Sequence, residues 1–416
     1  MNGDTAPPNR FSQRPIAYLA LAALIGLALI LALVESALHF TSWRMYIDRH
    51  THAPIPQYYI QSDPALGFDL APNVKAARFY SAFREFDHEV FTNKYGCFDR
   101  TTGDEGDYSL LLGDSLIWGW TPYQQTMGAQ LERRLGSPVM KCGVMGYGVE
   151  RALAKGRKVV AQRGRMPKIV IFGFSWNDLN DDHFPGYSVV DGILANGYAA
   201  NYVTGEYSLI DNEALPKFLA NEKKYGLRQE APPGLIKGLP LALKKFAKNN
   251  SILYNLSKYG YKIPSYYAGM YSNHHLPRSS MNRYLRYLAY LDETKYPWIE
   301  NAWRKTFENI SAMNDWAEGM DAKFILVIIP TKEQIYFQKQ VFRSAEAMER
   351  PRKRLMEFLE SRHIKYVDIL PGFRKAVAEP GTPMLYYKHN THWNEAGSGR
   401  AAQIVHKAIE SELNRK

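Results

Sequence analysis

A serine at the end of an apolar run is the residue in this sequence best placed to do chemistry. Ser115 closes Tyr108-Ser109-Leu110-Leu111-Leu112 at the turn Gly113-Asp114-Ser115, and Leu116-Ile117-Trp118-Gly119-Trp120 comes next. A short apolar run bounded by Gly and Asp reads as a buried strand entering a tight turn. In an open α/β sheet, ligands collect beyond the carboxyl ends of the strands. A hydroxyl there attacks an electrophile when a base stands within hydrogen-bond reach. Alone the tripeptide is ordinary turn chemistry; its weight comes from the residues that accompany it.

Three further pieces supply what an attacking serine needs. Pro138-Val139-Met140-Lys141-Cys142 reads as a second strand, running into Gly143-Val144-Met145-Gly146-Tyr147-Gly148. A glycine there lets a backbone N–H approach a ligand with no Cβ in the way. Lys168-Ile169-Val170-Ile171-Phe172-Gly173 is a third buried strand, leading to Phe174-Ser175-Trp176-Asn177-Asp178. The Asn177 amide can point an N–H at a developing oxyanion, a contact worth ~3–4 kcal/mol. Near the C-terminus lies His389-Asn390-Thr391-His392-Trp393-Asn394, ahead of a final helix from Glu395, and His392 is the natural general base. No pair of His, Cys or carboxylates carries convincing metal-ligand spacing. His389 and His392 lie three apart, but the base reading of His392 competes better, so neither metal nor cofactor is expected.

The set Gly113-Asp114-Ser115, Gly146, Asn177 and His392 resembles the four sequence blocks of the SGNH (GDSL-type) hydrolase superfamily. The chain is similar, within it, to membrane-anchored proteins related to bacterial polysaccharide O-acetyltransferases. That likeness lies in Phe91-Thr92-Asn93-Lys94-Tyr95-Gly96, Ile329-Pro330-Thr331-Lys332-Glu333-Gln334 and Val367-Asp368-Ile369-Leu370-Pro371. It runs from about Tyr58 to the C-terminus; its blocks are individually weak and jointly specific. The resemblance implies a flavodoxin-like three-layer α/β sandwich, Ser115 as nucleophile and His392 as base. It also implies an oxyanion hole from the Ser115 N–H, the Gly146 N–H and the Asn177 side chain, with Asp114 and Asp178 in support. The implied activity is an O-acyl esterase or O-acetyltransferase working through an acyl-serine. Its partners would be an acyl donor and a polysaccharide or other hydroxyl-bearing acceptor. The alternative is a catalytically weak scaffold or binding protein of cell-envelope polysaccharide biogenesis.

One position departs from the family pattern. An acidic residue usually stands two or three places before the catalytic His, where this chain has Asn390 and His389. Asn390 can still orient the ring by accepting a hydrogen bond, but it brings no charge. In the serine-protease template the analogous Asp-to-Asn change costs ~10⁴ in turnover through the wrong imidazole tautomer. Asp368 and Glu395 are the nearest carboxylates in sequence, and neither has a spacing that suits the role.

The elements that must position these residues emerge from pattern. Strands are expected at Tyr108–Leu112, Pro138–Cys142, Lys168–Gly173, Ala322–Pro330 and Lys365–Ile369. Helices are expected around Gln125–Leu135, Glu150–Arg163, Trp298–Gly319 and Ala345–Ser361, with a last one from Glu395. Alternation of this kind implies about five parallel strands with right-handed crossovers. A stretch at about 180–297 is too long for an ordinary loop and reads as a large, mostly helical insertion. It holds a basic cluster (Lys217, Lys223, Lys224, Arg228, Lys237, Lys244, Lys245, Lys248), then ten tyrosines from Tyr254 to Tyr296. Tyrosine suits a sugar face or a protein partner; a packed helical cap with surface lysines is the plainer reading.

The 416 residues permit one large domain or two small ones. Ile16 to Val34 is uncharged and Leu/Ala-rich, about the span of a bilayer core. No Ala-x-Ala site succeeds it, so it reads as an uncleaved anchor rather than a signal peptide. The expected organisation is a cytoplasmic tail at 1–15, a transmembrane anchor at 16–38, a juxtamembrane collar at 41–106 and the hydrolase-like domain at 107–416. Arg10 and Arg14 precede the span and Arg44 and Arg49 come after it, so charge barely decides orientation. A short tail left in the cytoplasm makes this a single-pass inner-membrane protein with its C-terminal domain periplasmic. The net charge of +11 comes with no nucleic-acid recognition motif. Anionic lipid headgroups or an acidic polymer account for it better. Cys97 and Cys142 read as two buried free thiols, with a bridge between them as the alternative.

Overall fold

In a computed structural model, residues 14–40, 55–80, 85–100, 106–184, 186–190, 192–200, 204–209, 243, 251–254, 296, 298–336, 345–387 and 390–413 are described. The chain divides into two compact units, Met1–Thr51 with Gln229–Pro264, and His52–Arg228 with Ser265–Lys416.

In the first unit, helix α1 (Arg14–His39) is long and apolar enough to cross a membrane over Tyr18–His39. Its leucines and isoleucines are exposed in the isolated chain. Glu35 accepts hydrogen bonds from the Ser251 hydroxyl (2.9 Å) and from the N–H groups of Ile252 (2.6 Å) and Leu253 (3.0 Å). A carboxylate thus caps the turn at residues 251–254.

The second unit is built on one parallel sheet. Ahead of it come two antiparallel hairpins, β1 (Ile60–Asp63) with β2 (Gly67–Leu70) and β3 (Ala77–Tyr80) with β4 (Asp87–Val90). The sheet strands are β5 (Ser109–Gly113), β6 (Val139–Lys141), β7 (Ile169–Phe174), β12 (Lys323–Ile328) and β13 (Tyr366–Asp368), in the order β13-β12-β7-β5-β6. Every pairing among them is parallel. Numbered one to five in chain order and read from the β6 edge, this is the flavodoxin-like order 2-1-3-4-5.

Side-chain alternation makes the three layers. Leu110, Val170, Phe172, Leu326 and Ile328 point to one face, against Val149–Arg163, Trp298–Glu318 and Ala345–Ser361. Leu111, Ile169, Ile171, Ile325 and Val327 point to the other, against Met127–Leu135, Leu370–Ala378 and Glu395–Leu413. β5, β6, β7 and β12 are buried on both faces and so read as near-continuous apolar runs; the edge strand β13 is buried only at its centre. The long helices begin and end within two residues of expectation.

The collar differs from what its weak pattern suggested. It is two short hairpins whose aromatic residues form a third core with the ends of the sheet, including Phe68, Phe79, Phe86, Trp118 and Tyr147. Lys155, wholly buried, ties it down by donating to both oxygens of Asp69 at 2.8 Å and to the Tyr95 carbonyl at 2.8 Å. Cys97 and Cys142 form a disulfide, contrary to the free-thiol reading. The bridge joins the collar to the residue after β6. The described start of the insertion is a short helix, Asp178–His183, followed by two hairpins that the helical reading did not include: β8 (Tyr187–Val190) pairs with β9 (Ile193–Asn196), and β10 (Tyr198–Ala200) with β11 (Tyr207–Leu209). The basic cluster and all the expected tyrosines except Tyr254 and Tyr296 lie outside the described residues, as does His389.

Candidate active site

Four loops leave the carboxyl edge of the sheet together, because β5, β6, β7 and β12 are parallel neighbours. The first turns straight into a short helix, Ser115–Trp118. Its cap is Asp114, whose Oδ1 accepts from the Leu116 N–H at 2.9 Å. Ser115 therefore occupies the first helical position, where intrahelical bonding leaves the N–H unclaimed. The Gly113-Asp114-Ser115 turn is thus a strand-to-helix corner with the hydroxyl at its tip.

His392 is carried not by a sheet strand but by the loop between the helices Leu370–Ala378 and Glu395–Leu413. Its loop is closed by an antiparallel bridge between Tyr386 and Trp393, with the Tyr387 N–H donating to the His392 carbonyl at 3.0 Å. Trp393 is fully buried and its indole N–H donates to the Leu116 carbonyl at 3.1 Å, which fastens the histidine loop to the serine helix. Lys332, the first residue of the short helix Lys332–Tyr336 that follows β12, donates to the carbonyls of Tyr387 (2.6 Å) and Asn390 (3.4 Å) and so braces the same loop.

These anchors bring the pair together across 277 residues of sequence: His392 Nε2 lies 2.7 Å from Ser115 Oγ. On the other side of the ring, Nδ1 lies 2.5 Å from Asn390 Oδ1, and the His392 backbone N–H donates to that same oxygen at 3.0 Å. The backbone donor decides the orientation of the amide, since a flip would set an NH₂ against an N–H. With Oδ1 facing the ring, the Nδ1 position must carry the proton. Nε2 then offers its lone pair to the serine hydroxyl. The tautomer is the one a general base requires. What is missing among the described residues is a charged partner: burial pushes the His392 imidazole down to about 3.

Gly146 lies across the cavity with φ +75, and a Cβ there would fall 2.5 Å from the Tyr187 ring. The left-handed backbone and the close ring both demand glycine. Asn177 also lines the cavity, but its amide nitrogen lies 3.0 Å from Asp114 Oδ2 and 3.0 Å from Asp181 Oδ2. Both amide hydrogens are therefore directed at carboxylates. Asp178 does not face the serine; it accepts from the Ser175 N–H at 2.9 Å and holds the loop in shape. Burial raises the pKa of Asp114 and, with the charge of Asp114 added, that of Asp178 further. Burial likewise pushes Asp181 up to about 7. Lys332 is pushed down to about 8 by its burial.

The cavity over these groups is about 480 Å³, walled on its apolar side by Leu116, Trp120, Met145, Trp176, Leu194 and Ile329. That volume lies in the range of small-molecule sites. Sequence reasoning assigned no role to Trp120, Lys332 or Asp181. Lys332 lies in a motif that carried the family likeness. The other two had no signal beyond proximity to Ser115 and Asn177. Among the described residues no group of three His, Cys, Asp or Glu side chains is arranged to hold a metal ion.

Comparison with known proteins adds a family likeness for part of the chain. No curated protein matches the sequence. Solved structures that align with the chain include the psychrotrophic esterase EstA from Pseudoalteromonas sp., at 10% identity over 74% of this chain and 100% of that one, TM-score 0.34. Another is the lipase/acylhydrolase from Enterococcus faecalis, at 11% identity over 75% and 99%, TM-score 0.34. A third is an acetyl-xylooligosaccharide esterase from Geobacillus Stearmophilus, at 13% identity over 75% and 95%, TM-score 0.34. Likenesses so distant carry no weight for the chemistry of this chain. Residues 289–416 match the family model described as SGNH hydrolase-like domain, acetyltransferase AlgX. Over that span, which carries His392, the chain is similar to the SGNH hydrolase-like domain of acetyltransferase AlgX, and the likeness read from its residues is borne out.

Proposed function

We propose that the protein is a membrane-anchored serine O-acyl esterase or O-acetyltransferase acting outside the cytoplasm, on a carbohydrate or similar hydroxyl-bearing substrate. The observation that carries this reading is the Ser115–His392 contact of 2.7 Å with the opposite ring nitrogen engaged by Asn390. Ser115 Oγ attacks the acyl carbonyl as its proton passes to His392 Nε2. The tetrahedral intermediate then collapses: the C–O bond to the donor alcohol breaks, and the imidazolium returns its proton to that oxygen. An acyl-Ser115 remains. Deacylation repeats the two steps with a new hydroxyl activated by His392, water giving hydrolysis and a sugar hydroxyl giving transfer.

The oxyanion is held by the N–H groups of Ser115 and Gly146, with Asn177 as third donor once an amide hydrogen turns from Asp181 to the substrate. Asp114 keeps the Asn177 amide in place while it does so. The disulfide supports an oxidising compartment. Helix α1 supports a membrane-inserted N-terminus, read as an anchor rather than a cleaved signal. The second reading, a scaffold without turnover, is favoured only by Asn390. The aligned serine, base and tautomer weigh against it.

The test is acetyl transfer from a chromogenic acetyl ester by the full-length chain in detergent, with and without oligosaccharide acceptors. Ester cleavage that disappears in Ser115→Ala is the expected result. Equal rates in wild type and Ser115→Ala would remove the enzyme reading. Acceptor-dependent acceleration separates transferase from esterase.

A further inference from the structure

The site asks a question that Asn390 alone does not answer. As Ser115 loses its proton, His392 becomes a cation at a half-buried position, and among the described residues no carboxylate contacts its ring. An amide oxygen supplies only a dipole. The group that does contact the ring face is Trp120. Its ring stacks on His392 with centroids 4.0 Å apart and planes 16° from parallel. A cation within about 6 Å of an indole face is attracted by the ring quadrupole, and the more so when water is excluded.

Trp120 is not there by chance of a loose loop. Phe79 and Phe86, both from the collar, meet its edge at 5.0 and 5.4 Å. Its carbonyl accepts from the Tyr387 hydroxyl at 2.8 Å, which ties it to the strand end that leads to the histidine loop. Collar rings and the Tyr387 hydroxyl thus hold one indole flat against one imidazole. The charged groups that face the same cavity are Asp114 and Asp181 on the far side and Lys332 and Glu333 below. Lys332 is a like charge and works against the imidazolium. Asp114 and Asp181 are engaged with the Asn177 amide.

We propose that Trp120 is a positioning residue that holds the His392 ring and stabilises its cationic form through its π face, doing part of what the absent carboxylate does elsewhere. The collar then has a functional purpose: it presents Trp120 to the base. This deepens the acyl-transfer reading and rests on it for its kinetic readout, though not for its titration readout.

The experiment uses the full-length chain in detergent, with Trp120→Leu and Trp120→Phe placed in the wild-type and Asn390→Asp backgrounds. Acetyl-ester turnover is expected to fall about 10- to 30-fold in Trp120→Leu, with KM little changed. A smaller loss is expected in Trp120→Phe, which keeps a weaker ring face. In the Asn390→Asp background the loss should shrink to a few-fold, because the carboxylate already carries the charge. Equal losses in both backgrounds would mean the indole only fills space, and would overturn the proposal.

The second readout is the titration of the His392 ring by nitrogen NMR in Asn390→Asp, with Ser115→Ala added so that turnover plays no part. Losing the π face should lower the imidazole midpoint by about one pH unit. A ring that was merely shielded by the indole would become wetter, and its midpoint would rise. An unchanged or raised midpoint overturns the proposal even if the protein proves not to be an enzyme. A lowered midpoint in a protein that never acylates Ser115 would uphold it and sink the functional reading instead.

Discussion

Restoring a carboxylate at position 390 isolates the electrical part of the triad from its geometrical part. In the protease template, losing the carboxylate costs ~10⁴ because the imidazole also adopts the wrong tautomer. Here the tautomer is already set, since the His392 N–H holds Asn390 Oδ1 at 3.0 Å and that oxygen faces Nδ1 at 2.5 Å. Asn390→Asp therefore changes charge and little else. Two unit charges about 4 Å apart attract by ~1 kcal/mol in water and ~4 kcal/mol at an effective dielectric of 20. The new carboxylate gives part of this back in lost hydration, although Lys332 near the Asn390 carbonyl offsets some of that loss. A net gain of roughly 1.5–3 kcal/mol corresponds to about 10- to 100-fold in kcat. KM should hardly move, because the imidazolium exists only on the way to the transition state. The assay is acetyl-ester hydrolysis across pH. The base works when neutral, so activity is present above the imidazole pKa and is lost as pH falls through it. With that pKa pushed down to about 3, wild type should show no acid limb through pH 5. The variant should acquire one, moved up towards ~6.5. An intact fold with an unchanged rate and an unmoved acid limb would refute the reasoning.

Gly146→Ala should cost about 10²-fold in kcat, the usual loss of an oxyanion donor, because its Cβ would meet the Tyr187 ring at 2.5 Å; a rate within a few-fold of wild type would remove Gly146 from the oxyanion hole. The double change Cys97→Ser, Cys142→Ser opens a loop of sequence separation 45, for which the chain-entropy estimate is about 4 kcal/mol; scanning calorimetry should show a clearly lower midpoint, and identical midpoints would mean the bridge is idle. Lys155→Met strands Asp69 without its buried partner at 2.8 Å, and a loss of ~3–5 kcal/mol in denaturant unfolding is expected, reduced to the extent that Lys158, 2.9 Å away, compensates.

What could be read without coordinates was whatever residue order and apolar period encode. β5, β6, β7 and β12 are runs buried on both faces, and the helices are long enough to show a period. The collar strands are four residues each with mixed patterns such as Ile-Gln-Ser-Asp and Asp-His-Glu-Val, too short to reveal any. Ser115 and His392 were legible as types in the right order, but their meeting depends on Trp393 reaching the Leu116 carbonyl. The disulfide was not legible, because two cysteines far apart in sequence say nothing of a Cα separation of 4.5 Å. Asn177 was legible as an amide donor, but not the arrival of Asp114 and Asp181 at both its hydrogens. Trp120 was hidden for the same reason: its neighbours Phe79, Phe86 and His392 come from segments that only the fold assembles.

The central claim is that Ser115, deprotonated by His392, carries the acyl group. Its most direct test is peptide mass spectrometry of the full-length chain after brief exposure to an activated acetyl ester and an acid quench. The central claim requires an acetyl group on Ser115, present in wild type and in Asn390→Asp and absent in His392→Ala. A protein that turns the ester over with Ser115 unmodified, or that is acetylated there equally without His392, would contradict it.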